Sequence, residues 1–237
     1  MAAFFDLDKT IISRSSTLAF GPSFYRHGLI TRAEALRTAY AQLLFRLGGA
    51  DHQRMERIRL AAGELCRGWQ VERVTDIVRR HLDEIILPLV YADAKRLIAA
   101  HGRAGDDVII VSTSGQEVVG PIGDLLGATE VIATRMEVAD GCYTGAMEFW
   151  AYGEAKATRV RELAAQRGYR LPDCFAYSDS VTDLPMLETV GHPRAVNPDR
   201  ALRKIARDRH WPVLAFGARS PSDLAGLGEK SPAAANS

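Results

Sequence analysis

The apolar positions of this chain follow two rhythms. Short continuous apolar runs stand at 4–5, 108–111, 131–133, 174–177, 195–196 and 213–216. Runs of this kind, without polar alternation, suit strands of a sheet covered on both faces. Between them, helical spacing is read over 94–100, 118–126, 154–167, 185–190 and 200–209. Strands alternating with helices predict an α/β fold, a Rossmann-like parallel sheet with helices on both faces. One hairpin interrupts the alternation, because Asp140-Gly141 between 136–138 and 143–147 is a strong turn signal.

A different pattern fills 14–88. Ala33, Leu36, Tyr40, Leu43, Leu44 and Leu47 recur at helical spacing until Gly48-Gly49 stops them. Met55, Ile58, Ala62 and Leu65 repeat it, as do Val71, Val74, Val78, Leu82 and Ile85, before Pro88 closes the region. About four helices are expected here. They form an inserted all-helical cap, or they simply cover one face of the sheet. The division is therefore 1–13 with 89–217 as the α/β core, 14–88 as the cap, and 218–237 as a flexible tail rich in Ser, Pro, Ala and Gly.

Composition narrows the function without choosing it. With 237 residues the chain can bury a sizeable core. A net charge of +1, with its arginines scattered, provides no field for nucleic acid or a membrane surface. Cys66, Cys142 and Cys174 are far apart and lack metal-ligand spacing, so they read as small hydrophobes in a reducing compartment. Met1-Ala2-Ala3 has neither a basic region nor a long apolar stretch after it, and no run reaches a membrane span. A cytoplasmic protein is expected, without nucleic acid or stable membrane association.

The chemistry sits where the apolar runs end. The first opens into Asp6-Leu7-Asp8-Lys9-Thr10, the second into Ser112-Thr113-Ser114-Gly115, and a later one into Ser178-Asp179-Ser180-Val181-Thr182-Asp183. Lys156 stands at the start of the helix before that last strand. Parallel strands bring their C-terminal ends to one rim, where ligands bind in open α/β sheets. Clustered carboxylates without His or Cys suit Mg²⁺ and argue against zinc. An EF-hand counted from Asp6 would need glycine and an acid where Ile11 and Thr17 stand. No phosphate-loop or dinucleotide glycine fingerprint is present.

These four ordered motifs resemble those of the haloacid dehalogenase-like superfamily. The insertion after the first motif, and the stretch 191–199 followed by Trp211-Pro212, are similar to its phosphoserine phosphatase-like branch. The resemblance covers about 2–216 and implies a Mg²⁺-dependent phosphomonoester phosphatase. It implies that Asp6 is the nucleophile of an aspartyl-phosphate pathway and Asp8 the acid and base. It also implies that Ser112 and Lys156 bind and neutralise phosphate. Mg²⁺ would be held by Asp6, the backbone carbonyl of Asp8 and Asp179, with Asp183 in support. Ser112, Thr113, Ser114 and Ser15 are the expected substrate-binding residues.

The resemblance also exposes departures. That branch's phosphoserine phosphatases carry a glutamate where the alignment places Ser15, so a partner for the substrate's ammonium is missing. Thr182 replaces an asparagine often found at its position. Arg54, Arg57, Arg59 and Arg67 are candidates for a substrate carboxylate. Phosphoserine, histidinol phosphate, another small phosphomonoester and a lipid headgroup phosphate all remain open. So do a non-catalytic phosphate-binding or regulatory protein of this fold and a phosphotransferase.

Overall fold

The computed structural model describes residues 1–31 and 52–217. The helix expected over 33–47 and the tail 218–237 lie outside the described residues. Seven strands form one sheet: β1 (Ala2–Asp6), β2 (Asp107–Gly115), β3 (Glu130–Ala139), β4 (Cys142–Phe149), β5 (Phe175–Ser178), β6 (His192–Val196) and β7 (Val213–Leu214). Their order is β4-β3-β2-β1-β5-β6-β7. Every neighbouring pair is parallel except the hairpin β3–β4.

The eight α-helices among the described residues are α1 (Ser16–Arg26), α2 (His52–Cys66), α3 (Val71–Ile86), α4 (Ala92–Arg103), α5 (Gln116–Leu126), α6 (Glu154–Arg167), α7 (Leu184–Thr189) and α8 (Arg200–Asp208). The strand runs are apolar throughout because both sheet faces are covered. Ala3, Phe5, Val108 and Ile110 pack with α1, α3, α4 and α5. Ala2, Phe4, Ile109 and Val111 pack with α6, α7 and α8. Burying a side chain such as Phe4 or Phe5 contributes roughly 1.5–3 kcal/mol.

Several elements differ from expectation. The runs 131–133 and 136–138 belong to one continuous strand, β3, so the hairpin grows directly out of the sheet. Strand β2 does not stop before Ser112; it continues to Gly115 through a register shift between Ser112 and Gly115. Strand β6 is longer than expected, and β7 is shorter.

Within 14–88, α2 packs along β4 and α3 along α5. The α2–α3 connection is tied to the hairpin by three backbone bonds: Gly68 N–H to the Tyr143 carbonyl (2.8 Å), Tyr143 N–H to the Trp69 carbonyl (3.0 Å), and Val71 N–H to the Gly141 carbonyl (3.0 Å).

Strand order reverses at β1, which lies between β2 and β5. The crevice beyond the C-terminal end of such a strand is where an α/β sheet binds ligands. Asp6 is the last residue of β1.

Candidate active site

Beyond Asp6 the chain turns sharply. The Leu7 carbonyl accepts the N–H groups of Thr10 (3.3 Å), Ile11 (2.9 Å) and Ile12 (3.1 Å). Lys9 adopts φ 67°, the left-handed region that non-glycine residues rarely enter. This turn fixes Asp6, Asp8 and Thr10 at the rim. The Thr10 hydroxyl accepts the Asp179 N–H at 3.0 Å, which ties the first motif to the loop after β5.

Lys156 is the deepest charge, 1% exposed although it is only the third residue of α6. Its Nζ donates to Asp6 Oδ1 at 2.7 Å and to Asp183 Oδ2 at 3.0 Å. The Ser178 hydroxyl adds a 2.7 Å bond to Asp183 Oδ2. Asp199, the N-cap of α8, accepts the Val181 and Leu202 N–H groups, and its own N–H donates to the Asp179 carbonyl. The loop carrying Asp179 and Asp183 is thus bonded on both sides.

Asp8 is held apart from this cluster. Its carboxylate accepts the Ser16 N–H at 2.8 Å, at the start of α1, and the Ser114 hydroxyl at 3.1 Å. Ser114 in turn accepts from the Ser16 and Thr17 hydroxyls at 2.9 and 3.0 Å. Ser112 is buried, and its hydroxyl oxygen accepts the Ser114 N–H at 3.2 Å. The exposed Thr113 donates to the Ala151 carbonyl at 2.8 Å.

Burial raises the Asp6 carboxyl well above its ordinary value. Lys156 opposes that rise, while Asp183 and Asp179 add to it. Burial likewise raises Asp8, against the hydrogen bonds from Ser16 and Ser114. Burial pushes Asp179 up to about 7, with Lys9 opposing and Asp183 and Asp199 adding. Burial works against the Lys156 ammonium, but Asp183 and Asp6 outweigh it and raise its pKa. Among the described residues, buried Asp6, Asp179 and Asp183 face a single buried ammonium, so there are more carboxylates here than this cation pairs with.

The structure brings Asp6, Lys156, Asp179 and Asp183 together, with Ser112 on the neighbouring strand. The Asp8 carboxylate is committed to α1 and Ser114, and Asp183 to Lys156 and Ser178. Ser15 is the N-cap of α1 but makes no side-chain capping bond. Among the described residues, no group of three His, Cys, Asp or Glu side chains is arranged to hold a metal. The carboxylates least committed in this way are Asp6, which shares one oxygen with Lys156, and Asp179, whose Oδ1 accepts only a long 3.5 Å bond from the Thr10 hydroxyl. One or two carboxylates with water and substrate phosphate are the usual Mg²⁺ donor set, so the residues fit that ion.

Of the candidate arginines, Arg59 pairs with Glu56 and Arg67 with Glu64, while the Arg54 side chain lies outside what is described. Ser16, Thr17, Thr10 and Ser178 were not singled out by the sequence. Thr10 and Ser178 stand inside the motifs and Ser16 and Thr17 close to them, but their roles depend on contacts as distant as Ser16 with Ser114.

The family described as haloacid dehalogenase-like hydrolase matches residues 3–188. The chain is 61% identical over 216 residues to an "inhibition of morphological differentiation protein" of Streptomyces azureus, covering 91% of this chain and 78% of that one. It is 58% identical over 215 residues to a probable phosphatase of Mycobacterium tuberculosis, covering 91% and 75%. It is 34% identical over 222 residues to a histidinol-phosphatase of Neisseria meningitidis, covering 90% and 98%.

Proposed function

This chain belongs to the haloacid dehalogenase-like hydrolase family, in its phosphoserine phosphatase-like branch, and we propose that it is a Mg²⁺-dependent phosphatase of small phosphomonoesters working through an aspartyl-phosphate. The observation that carries this reading is the Asp6 carboxylate at the end of β1, fixed at 2.7 Å by a buried lysine. An aspartate so oriented attacks phosphorus in line, forming the Asp–O–P bond as the ester P–O bond breaks. Water then cleaves the acyl phosphate, so one hard step becomes two easier ones. Phosphate-ester hydrolysis needs this help, since its uncatalysed rate requires accelerations of up to about 10²¹.

The roles of the other residues follow from their surroundings. Asp8, raised by burial, gives its proton to the leaving oxygen and later takes one from the attacking water. The Ser114 hydroxyl can reverse its bond as Asp8 changes state. Lys156 offsets the approach of carboxylate to phosphate, a repulsion of roughly 4 kcal/mol per charge pair at 4 Å and an effective dielectric of 20. Ser112 and neighbouring backbone N–H groups bind phosphate oxygens. Asp6, Asp179 and the Asp8 carbonyl would hold Mg²⁺, with Asp183 supporting through Lys156. When bound, the ion supplies positive charge to the phosphoryl oxygens. The substrate is a small metabolite of the phosphoserine or histidinol phosphate type. Ser15 in place of a glutamate makes the ammonium of phosphoserine the poorer fit.

Phosphate release from a panel of phosphomonoesters, with and without Mg²⁺, tests this. Metal-dependent turnover should fall by about 10³-fold or more in Asp6→Asn. Undiminished turnover in that variant would overturn the mechanism.

A further inference from the structure

Strand β4 delivers the chain to the catalytic rim on the side away from β5. Phe149 stands opposite Arg135, the residue after Thr134, and Thr134 pairs with Gly115, the last residue of β2. The next residues, 150–153, therefore lie level with the Ser112–Gly115 end of β2. They are fastened there: the Ala151 carbonyl accepts from Thr113 at 2.8 Å, and the Ala151 N–H donates to Thr134 at 3.2 Å. Gly153 then turns the chain into α6, three residues before Lys156. Its φ of 53° and ψ of −124° are open only to glycine. A Cβ on Gly153 would stand 3.9 Å from the Thr182 carbonyl, so the loop abuts the acidic loop too.

Two aromatic side chains leave this fastened loop. Trp150 and Tyr152 stack on each other, with ring centroids 4.8 Å apart and planes 12° from parallel. Both are only half-buried. Burial raises the pKa of the Tyr152 phenol, Asp183 raises it further, and Lys156 opposes. The catalytic scheme uses neither ring. The loop that carries this flat aromatic pair is fastened to Thr113 and Thr134, next to Ser112 on β2.

We propose that Trp150 and Tyr152 form a stacking platform for the leaving alcohol, and that the substrate is a phosphomonoester bearing a planar aromatic or heteroaromatic ring. This rests on the phosphatase reading and narrows its substrate class. A ring tethered to the ester stacks on the pair, extending a two-ring stack to three. Aromatic stacking contributes beyond simple burial, and it needs no ammonium partner where Ser15 stands. A planar ring gains from it and a puckered saturated ring of equal size does not, so shape discriminates rather than hydrophobicity.

The test compares phenethyl phosphate with its saturated counterpart cyclohexylethyl phosphate, whose leaving alcohols are alike in acidity and length. Wild type should favour the planar ester in kcat/KM, with the difference carried by KM. Trp150→Leu and Tyr152→Leu should lower the ratio of the two kcat/KM values by about tenfold, equivalent to about 1.4 kcal/mol. Trp150→Phe and Tyr152→Phe should restore most of it, which a purely structural role would not do. A second measurement stands apart from turnover: binding of the same two esters to Asp6→Asn and to Asp6→Asn/Trp150→Leu, by calorimetry. Planar-selective binding that disappears with Trp150 supports the platform even if no phosphate is released, in which case the phosphatase reading alone falls. Turnover or binding that treats the two esters alike, or a ratio unmoved by either leucine variant, overturns the platform and leaves the phosphatase intact. Failure of Asp6→Asn to bind either ester also overturns it.

Discussion

A single buried ammonium shared by two carboxylates makes Lys156 sensitive in a way its neighbours are not. Its Nζ reaches both Asp6 and Asp183 within 3.0 Å, and among the described residues no other buried lysine or arginine stands beside them. Removing one partner of a buried ion pair leaves an uncompensated charge, typically costing 3–5 kcal/mol. Lys156→Met should therefore lose about 3–5 kcal/mol in urea unfolding at neutral pH, besides losing turnover. A loss below about 1 kcal/mol would mean that the carboxylates had re-paired with water, and that the lysine does not organise the site. At this scale the sequence was legible only in part. Asp6 and Asp179 could be read because each stands where an apolar run ends, and Asp183 because it closes the polar stretch that Asp179 opens. The Ser16–Ser114–Asp8 relay could not, since it joins hydroxyls 98 positions apart and nothing local in either segment announces the other.

At the scale of elements, the contact between α2 and β4 is unusually close. A Cβ on Gly63 of α2 would stand 2.1 Å from the Gly145 carbonyl oxygen, and Gly145 itself sits at φ +92° on β4. Backbone meets backbone there, so no flexible side chain can yield. Gly63→Ala should push α2 from the hairpin and destabilise by about 1–3 kcal/mol despite alanine's better helix propensity. Chemical denaturation of the variant checks this, and a more stable variant would show that the two elements part freely. Helices α2 and α3 were legible because their apolar positions keep helical spacing. Helix α1 was not, because Gly21 and Pro22 interrupt its pattern while tertiary packing of Phe20 and Phe24 sustains it. The continuation of β2 to Gly115 was also hidden. Ser, Thr and Gly resemble a loop in sequence, and only pairing with β3 keeps them in the sheet.

For the whole molecule, the surplus of buried carboxylates links metal, protons and folding. The Asp179 carboxyl rises from 3.8 to about 7 in the folded, metal-free chain, chiefly through burial. Between those values the folded state binds more protons than the unfolded one, so this group's contribution to stability is present at low pH and is lost as pH rises through about 7. Asp6 acts in the same direction. A divalent cation reverses the balance by favouring the ionised carboxylates, and at pH 8 it has no proton to displace from Asp179. Below 7 each displaced proton weakens apparent binding by up to about tenfold per pH unit. Mg²⁺ at a hundred times its dissociation constant adds about 2.7 kcal/mol to the folded state. At one fixed Mg²⁺ concentration the gain in Tm should therefore be clearly larger at pH 8 than at pH 5.5, with proton release on binding seen by calorimetry near pH 6.5. A gain independent of pH would place the ion away from Asp6 and Asp179. Asp179→Asn separates the two causes. It should remove much of the pH dependence and weaken the Mg²⁺ response, and it should stabilise the metal-free chain at pH 8, where the wild type carries a charge that burial disfavours.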